Sequence, residues 1–229
     1  LTVNVNELVD SSTGTISAAQ AKSLTLNVAS KVVNAAELTE FSNAITAGEA
    51  TSVTVDSKGQ LVAATINAAK ATSMTLNTGS STAAATEVDS LTLNATKLNS
   101  LTVNAKQDLT ITEGTSTADL DSIQTLTVTT DNDFVLGGFG GDATILDDIA
   151  TATIGGTATT ASANLGNLGN TGMTHNINLT ATGLKTGLTI GTVNAGTGSA
   201  TLNVSGVTGV ITTGTTINAD AGVTLTATN

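Results

Sequence analysis

Ser90-Leu91-Thr92-Leu93-Asn94-Ala95 and, about ten residues on, Ser100-Leu101-Thr102-Val103-Asn104-Ala105 state a phrase that recurs along this chain. It consists of an aliphatic residue, a threonine, a second aliphatic, then asparagine or another small polar residue. Earlier copies are Leu1-Thr2-Val3-Asn4, Leu24-Thr25-Leu26-Asn27, Val53-Thr54-Val55-Asp56 and Met74-Thr75-Leu76-Asn77, and a later one is Leu126-Thr127-Val128-Thr129. Strict alternation is what a short strand needs to bury one face and wet the other. Self-similarity from end to end marks a solenoid or stacked array. The phrase therefore predicts an all-β chain, mainly a β-solenoid resembling a parallel β-helix, with a structural role.

Composition agrees with that class. The 229 residues include no Cys, Pro, Trp or Tyr, three Phe, and seven Lys with no Arg. Aliphatic and alanine content is high enough to build a core, but with so few aromatics the core must be thin. Repeat proteins grow by adding units, so the length counts rungs rather than domains. A net charge of −11 argues against nucleic acid, whose recognition needs basic patches, and against anionic lipid. The absence of Cys excludes a disulfide scaffold and thiolate metal sites. No apolar run approaches the roughly 20 residues that cross a bilayer as a helix. An edge strand at either end would be a pairing hazard, which leads us to expect that this chain is a processed part of something longer.

Successive copies such as Met74, Leu91, Leu101 and Leu109 lie about ten residues apart or up to about twice that, the spacing of short strands joined by tight turns. If strands stack, like residues fall above like: aliphatics inward, threonines in an outward file, asparagines at the corner as a ladder. Two stretches, Ser17 to Lys22 and Val32 to Ala50, break the pattern and read as helical or loop excursions. Within the second, Leu38, Phe41 and Ile45 fit one face of a helix spanning 34–46, although a bent pair of strands fits the same residues. Composition changes near residue 137: from Thr151 onward the only acid is Asp220 and the only lysine Lys185, and glycine becomes frequent. This divides the chain into a repeat region, 1–136, and a Gly/Thr-rich β region, 137–229.

Few residues offer chemistry. Gly137-Gly138-Phe139-Gly140-Gly141-Asp142-Ala143-Thr144-Ile145 comes close to a calcium-binding glycine-rich nonapeptide, with Thr144 in place of a large apolar residue; nine residues earlier, Asp133 and Val135 hold the corresponding acidic and apolar places. In such a turn the glycines allow tight curvature while carbonyls and a carboxylate supply hard oxygens. Gly137, Phe139, Gly141, Asp142 and Asp133 are thus the candidate calcium half-site, weighed against a plain glycine-rich turn. His175 is the only imidazole, which removes histidine metal clusters and leaves a turn residue as the expectation. Asp147-Asp148 and Asp119 with Asp121 could act as paired carboxylates, but a sugar-cleaving groove is normally lined with aromatics and basic residues that this chain lacks. We expect no enzyme activity. Outward threonines could order water against an ice lattice, an idea the irregular spacing of the phrase weakens; β-propensity alone also accounts for them. The sequons at Asn94, Asn178 and Asn203 are expected by chance in so Asn- and Thr-rich a chain.

The Ser-Leu-Thr-Leu-Asn-Ala phrase, the excess of Ala, Thr, Gly and Asn, the missing cysteine, the acidic balance and Gly137 to Asp142 together resemble Gram-negative S-layer proteins of the type I-secreted, RTX-like class. The likeness covers most of the chain in composition and only Gly137 to Asp142 in motif. It implies a solenoid body that assembles into a lattice on the bacterial cell surface, often with calcium. It also implies anchoring to cell-surface polysaccharide through a region not in this sequence. The expected function is a structural subunit of such a layer, with copies of itself as partner; the alternative is a stalk or ligand-binding segment of a secreted RTX-type adhesin.

Overall fold

Alternation of aliphatic and polar residues becomes strand after strand, all running parallel. The computed structural model describes residues 1–6, 15–29, 40–79, 88–114, 120–137, 144–214 and 216–228. Among these there is no helix. Ten strands form the first sheet: Thr2–Val5, Ser23–Val28, Ser52–Ser57, Ser73–Thr78, Ser100–Ala105, Thr125–Thr130, Thr151–Gly156, Ile177–Thr182, Ala200–Asn203 and Val223–Thr226. A second, nine-stranded sheet forms the facing side of the coils, from Thr15–Ser17 through Val88–Asn94, Asp108–Glu113 and Asp133–Gly137 to Val210–Thr213, and Glu40–Phe41 with Gln60–Leu61 makes a separate two-stranded sheet. Where the coils of the C-terminal half become three-sided, Thr144–Leu146, Asn167–Leu168, Val193–Asn194 and Ile217–Asn218 add a four-stranded sheet. The result is a parallel β-solenoid.

Burial follows the phrase residue by residue. In Ser23–Val28, Ser52–Ser57 and Ser73–Thr78 every second side chain is buried and the intervening ones face outward. The inward aliphatics stack like over like: Met74, Leu101 and Leu126 in one file, Leu76, Val103 and Val128 in the next. Each of these six is at most 2% exposed. A core one side chain deep between two sheets explains why small aliphatics suffice where an ordinary domain would use aromatics.

One corner recurs in nearly every coil. Before the first-sheet strands from Ser23–Val28 onward a four-residue turn closes with an N–H to C=O bond between its ends, as in Ala50 to Ala47 (2.9 Å), Ala71 to Ala68 (2.8 Å), Leu98 to Ala95 (2.9 Å) and Ile123 to Leu120 (3.1 Å). In these four turns both ends are buried and the middle pair is partly or fully exposed. Small or aliphatic ends fit the bend of the thin core, so this turn is as much a part of the repeat as the strand.

Register survives uneven spacing. Thr25 pairs with Thr54 at a separation of 29 residues, and Thr54 with Thr75 at 21. The difference falls in segments between strands, because sliding a strand by one residue would send its aliphatics outward. In the C-terminal half the coils close tightly through glycine. Gly183 has φ +71°, and a Cβ on it would stand 2.3 Å from the Gly156 carbonyl oxygen in the preceding coil.

The expected helix over 34–46 is corrected for its last seven residues. Glu40–Phe41 and Ala44–Thr46 are two strands with a bend between them, as in the bent-pair alternative. Phe41 pairs with Leu61 and Ile45 with Ile66, so the hydrogen bonds of the next coil decide what helical spacing left open. Leu38 and the rest of that stretch lie outside the described residues. In the shorter excursion, Thr15–Ser17 is a strand and Ala18 to Ala21 is the recurrent corner turn.

Candidate functional site: outer faces, ladders and corners

The outward residues of the first sheet form three files. Thr2, Thr25, Thr54, Thr75, Thr102, Thr127, Thr153 and Thr180 follow one another without interruption in the central file, which ends with Asn203 and Thr226. On one side run Ser23, Ser52, Ser73, Ser100, Thr125 and Thr151. On the other stand Asn4, Asn27, Asp56, Asn77, Asn104 and Thr129. The expected asparagine ladder is present: Asn27 Nδ2 donates to Asn4 Oδ1 at 2.7 Å and Asn104 Nδ2 to Asn77 Oδ1 at 2.8 Å. A second ladder climbs the other sheet, where Asn94 Nδ2 donates to Asn67 Oδ1 and Asn67 Nδ2 to Thr46 Oγ1 at 3.3 Å. Asn67 uses both its donor and its acceptor along the stack, and each bond between neighbouring coils fixes which way the two amides face.

Charge collects at the corners instead. Glu49 lies between Lys22 of the coil before, at 3.3 Å, and Lys70 of the coil after. Hydrogen bonds from Lys70 and then Lys22 hold its carboxyl below the ordinary value of 4.5. Lys106 pairs with Asp131 at 3.1 Å on the opposite corner. Among the described residues two acids are buried at inward positions. Asp89 Oδ1 accepts the Leu61 N–H at 2.8 Å, and Glu113 Oε1 accepts the Leu120 N–H at 3.3 Å. Both bind backbone that the strand pattern leaves unpaired, a structural task. Their signal in the sequence is an acid where the alternation calls for an aliphatic, as in Asp89-Ser90-Leu91 and Ile111-Thr112-Glu113.

Among the candidate calcium residues, Asp133 opens the strand Asp133–Gly137 and Gly137 closes it. Four residues of extended chain span about 13 Å, whereas a calcium ion holds its oxygens at about 2.3–2.6 Å, so these two residues do not share one coordination shell. Asp133 accepts a hydrogen bond from the Ser162 hydroxyl of the next coil, and its N–H donates to Asp108 Oδ1 at 3.1 Å. Phe139, Gly141 and Asp142 lie outside the described residues. Among the described residues no three His, Asp or Glu side chains converge in a metal-binding group. The described part of the motif therefore does not by itself fit a calcium ion.

The acidic pair sits on a corner turn. Asp148 Oδ2 accepts from Gln124 Nε2 at 2.7 Å, and His175 in the next coil places Nε2 3.1 Å from the Asp148 carbonyl oxygen and 3.8 Å from its Oδ1. The Asp148 N–H bonds the Asp121 carbonyl at 3.0 Å, which stacks these turns; Asp119 lies outside the described residues. His175 stands at a bend, half-buried. Beside Asp147 a shallow hollow of about 370 Å³ runs past Asn167, Asn170, Thr171 and Asn194. Asn167 Oδ1 accepts the Thr192 N–H at 2.7 Å and Asn170 Oδ1 the Gly172 N–H at 2.7 Å, so the amides are fixed by the turns they cap. This polar hollow was not anticipated from the sequence, since its residues are spread over three coils. No protein-family model, curated protein or solved structure matches the chain.

Proposed function

We propose that this chain is a structural subunit of a bacterial cell-surface layer, outside the cell, where copies assemble into a lattice. The reading is supported above all by the unbroken threonine file. A parallel stack ten strands long presents a regular, nearly uncharged outer face, while the ion pairs Lys22–Glu49–Lys70 and Lys106–Asp131 sit at corners and link one coil to the next. Such a body offers extent and repetition, which a lattice uses. A second reading, a ligand-binding segment of a secreted adhesin, is favoured by the polar hollow between Asp147 and Asn194.

Negative-stain electron microscopy of the purified chain with calcium and with chelator tests the proposal. Ordered sheets or filaments support it. Sheets that need calcium give the Gly137 to Asp142 turn a metal-dependent role, and sheets indifferent to chelator leave that turn a connector. Dispersed single particles in both conditions contradict the lattice reading.

A further inference from the structure

We infer that the outer face of the first sheet is the surface through which one copy of this chain docks, face to face, on a second copy. The inference rests on the self-assembling reading above and names the contact. Copies that each carry a net charge of −11 repel one another, so contact is favoured where acids are few. The corners are charged rather than neutral, with Glu49 between Lys22 and Lys70 in one stretch and Asp121, Asp147 and Asp148 gathered in the next, and that acidic stretch opposes its own copy. On the second sheet Asp108 and Asp133 stack on the outward side. The three outward files of the first sheet carry a single ionisable residue, Asp56, among the described residues.

Size and chemistry also fit. Ten strands give nine steps of about 4.8 Å, and the five residues across the three files give about 17 Å, hence roughly 700 Å² for each copy. A stable interface of standard size takes about 800 Å² from each partner. Threonine hydroxyls and asparagine amides both donate and accept, so the face is complementary to itself, as a two-fold contact requires. Short side chains let two such sheets approach closely. Under a two-fold axis lying along the strands, the third strand, which carries Asp56, faces the eighth strand of the other copy. The two Asp56 carboxylates are then about 24 Å apart along the stack.

Sedimentation velocity over a concentration series, with the whole chain, reads the contact. Thr102→Asp together with Thr127→Asp puts like charges at the centre of the face and should weaken self-association at least about tenfold. Thr110→Asp on the second sheet should leave it unchanged. Because an aspartate could also disturb the strand, single cysteines give an independent readout in a chain that has none. A short bismaleimide should join copies of Thr102→Cys and not of Thr110→Cys. Association that responds to the Thr110 variants and ignores those at Thr102 overturns the proposed face and leaves self-assembly standing. A chain that stays monomeric at every concentration overturns both.

Discussion

Replacing Leu101 by alanine probes the one-side-chain-deep core at its centre. Leu101 is completely buried, in register with Met74 in the coil before and Leu126 in the coil after. Its neighbours are held by continuous backbone ladders on both sides, so the space left behind has little freedom to collapse. Losing the buried carbons costs about 2–2.5 kcal/mol at about 0.8 kcal/mol per methylene. The residual cavity raises the total toward the upper part of the about 2–5 kcal/mol seen for leucine-to-alanine changes in packed cores. Thr102→Ala, one residue on and facing outward, should change stability by no more than about 0.5 kcal/mol. Guanidinium unfolding followed by far-ultraviolet circular dichroism, at a concentration where the chain is monomeric, measures both. Solenoids can unfold in stages, so the whole transition must be compared and not only its midpoint. A loss below about 1 kcal/mol for Leu101→Ala, or an equal loss for Thr102→Ala, would refute the assignment of inward and outward faces.

Three further outcomes follow from the contacts. Gly183→Ala forces a Cβ to 2.3 Å from the Gly156 carbonyl at a positive φ, so it should cost more than about 1 kcal/mol and lower the thermal midpoint, whereas Gly48→Ala, with open space around it, should not. Asn104→Ala removes the amide that bonds Asn77 and should cost about 0.5–1.5 kcal/mol in the same unfolding assay. The Glu49 carboxyl is held below its ordinary value, so its contribution is present above pH 4.5 and fades as pH falls through its lower folded value. Since the group is exposed, Glu49→Gln should lower the thermal midpoint slightly at neutral pH and low salt, and not in concentrated salt.

The strands were legible because each copy of the phrase carries its own inside and outside. Leu24, Leu26, Leu101 and Val103 are where alternation puts them, and the asparagine ladder follows once like stacks on like. The corner turn was harder to see. Ala47, Ala68 and Ala95 give way to Leu120 in the next copy, and only the three-residue interval to a second buried residue marks the four as one motif. Phe41 and Ile45 misled because a spacing of four suits a helical face and equally suits two strands with a bend; pairing with Leu61 and Ile66, far along the chain, decides between them. Uneven intervals in the phrase argued against a regular outer face, yet the threonine file is continuous, since inward aliphatics fix each strand's phase whatever the length of the connection. The hollow beside Asp147 draws on residues from three coils and leaves no local mark. Asp133 and Gly137 looked like partners by motif, and the length of an extended strand keeps them apart.

Everything proposed for the outer face depends on that threonine file being real. Spin labels on Thr25→Cys and Thr180→Cys, in chains diluted with unlabelled protein, measure it by pulsed electron resonance. The two threonines lie six strand steps apart, so one narrow distance near about 29 Å is predicted. A broad distribution, or a narrow peak displaced by several strand spacings, would contradict the stack and the face built upon it.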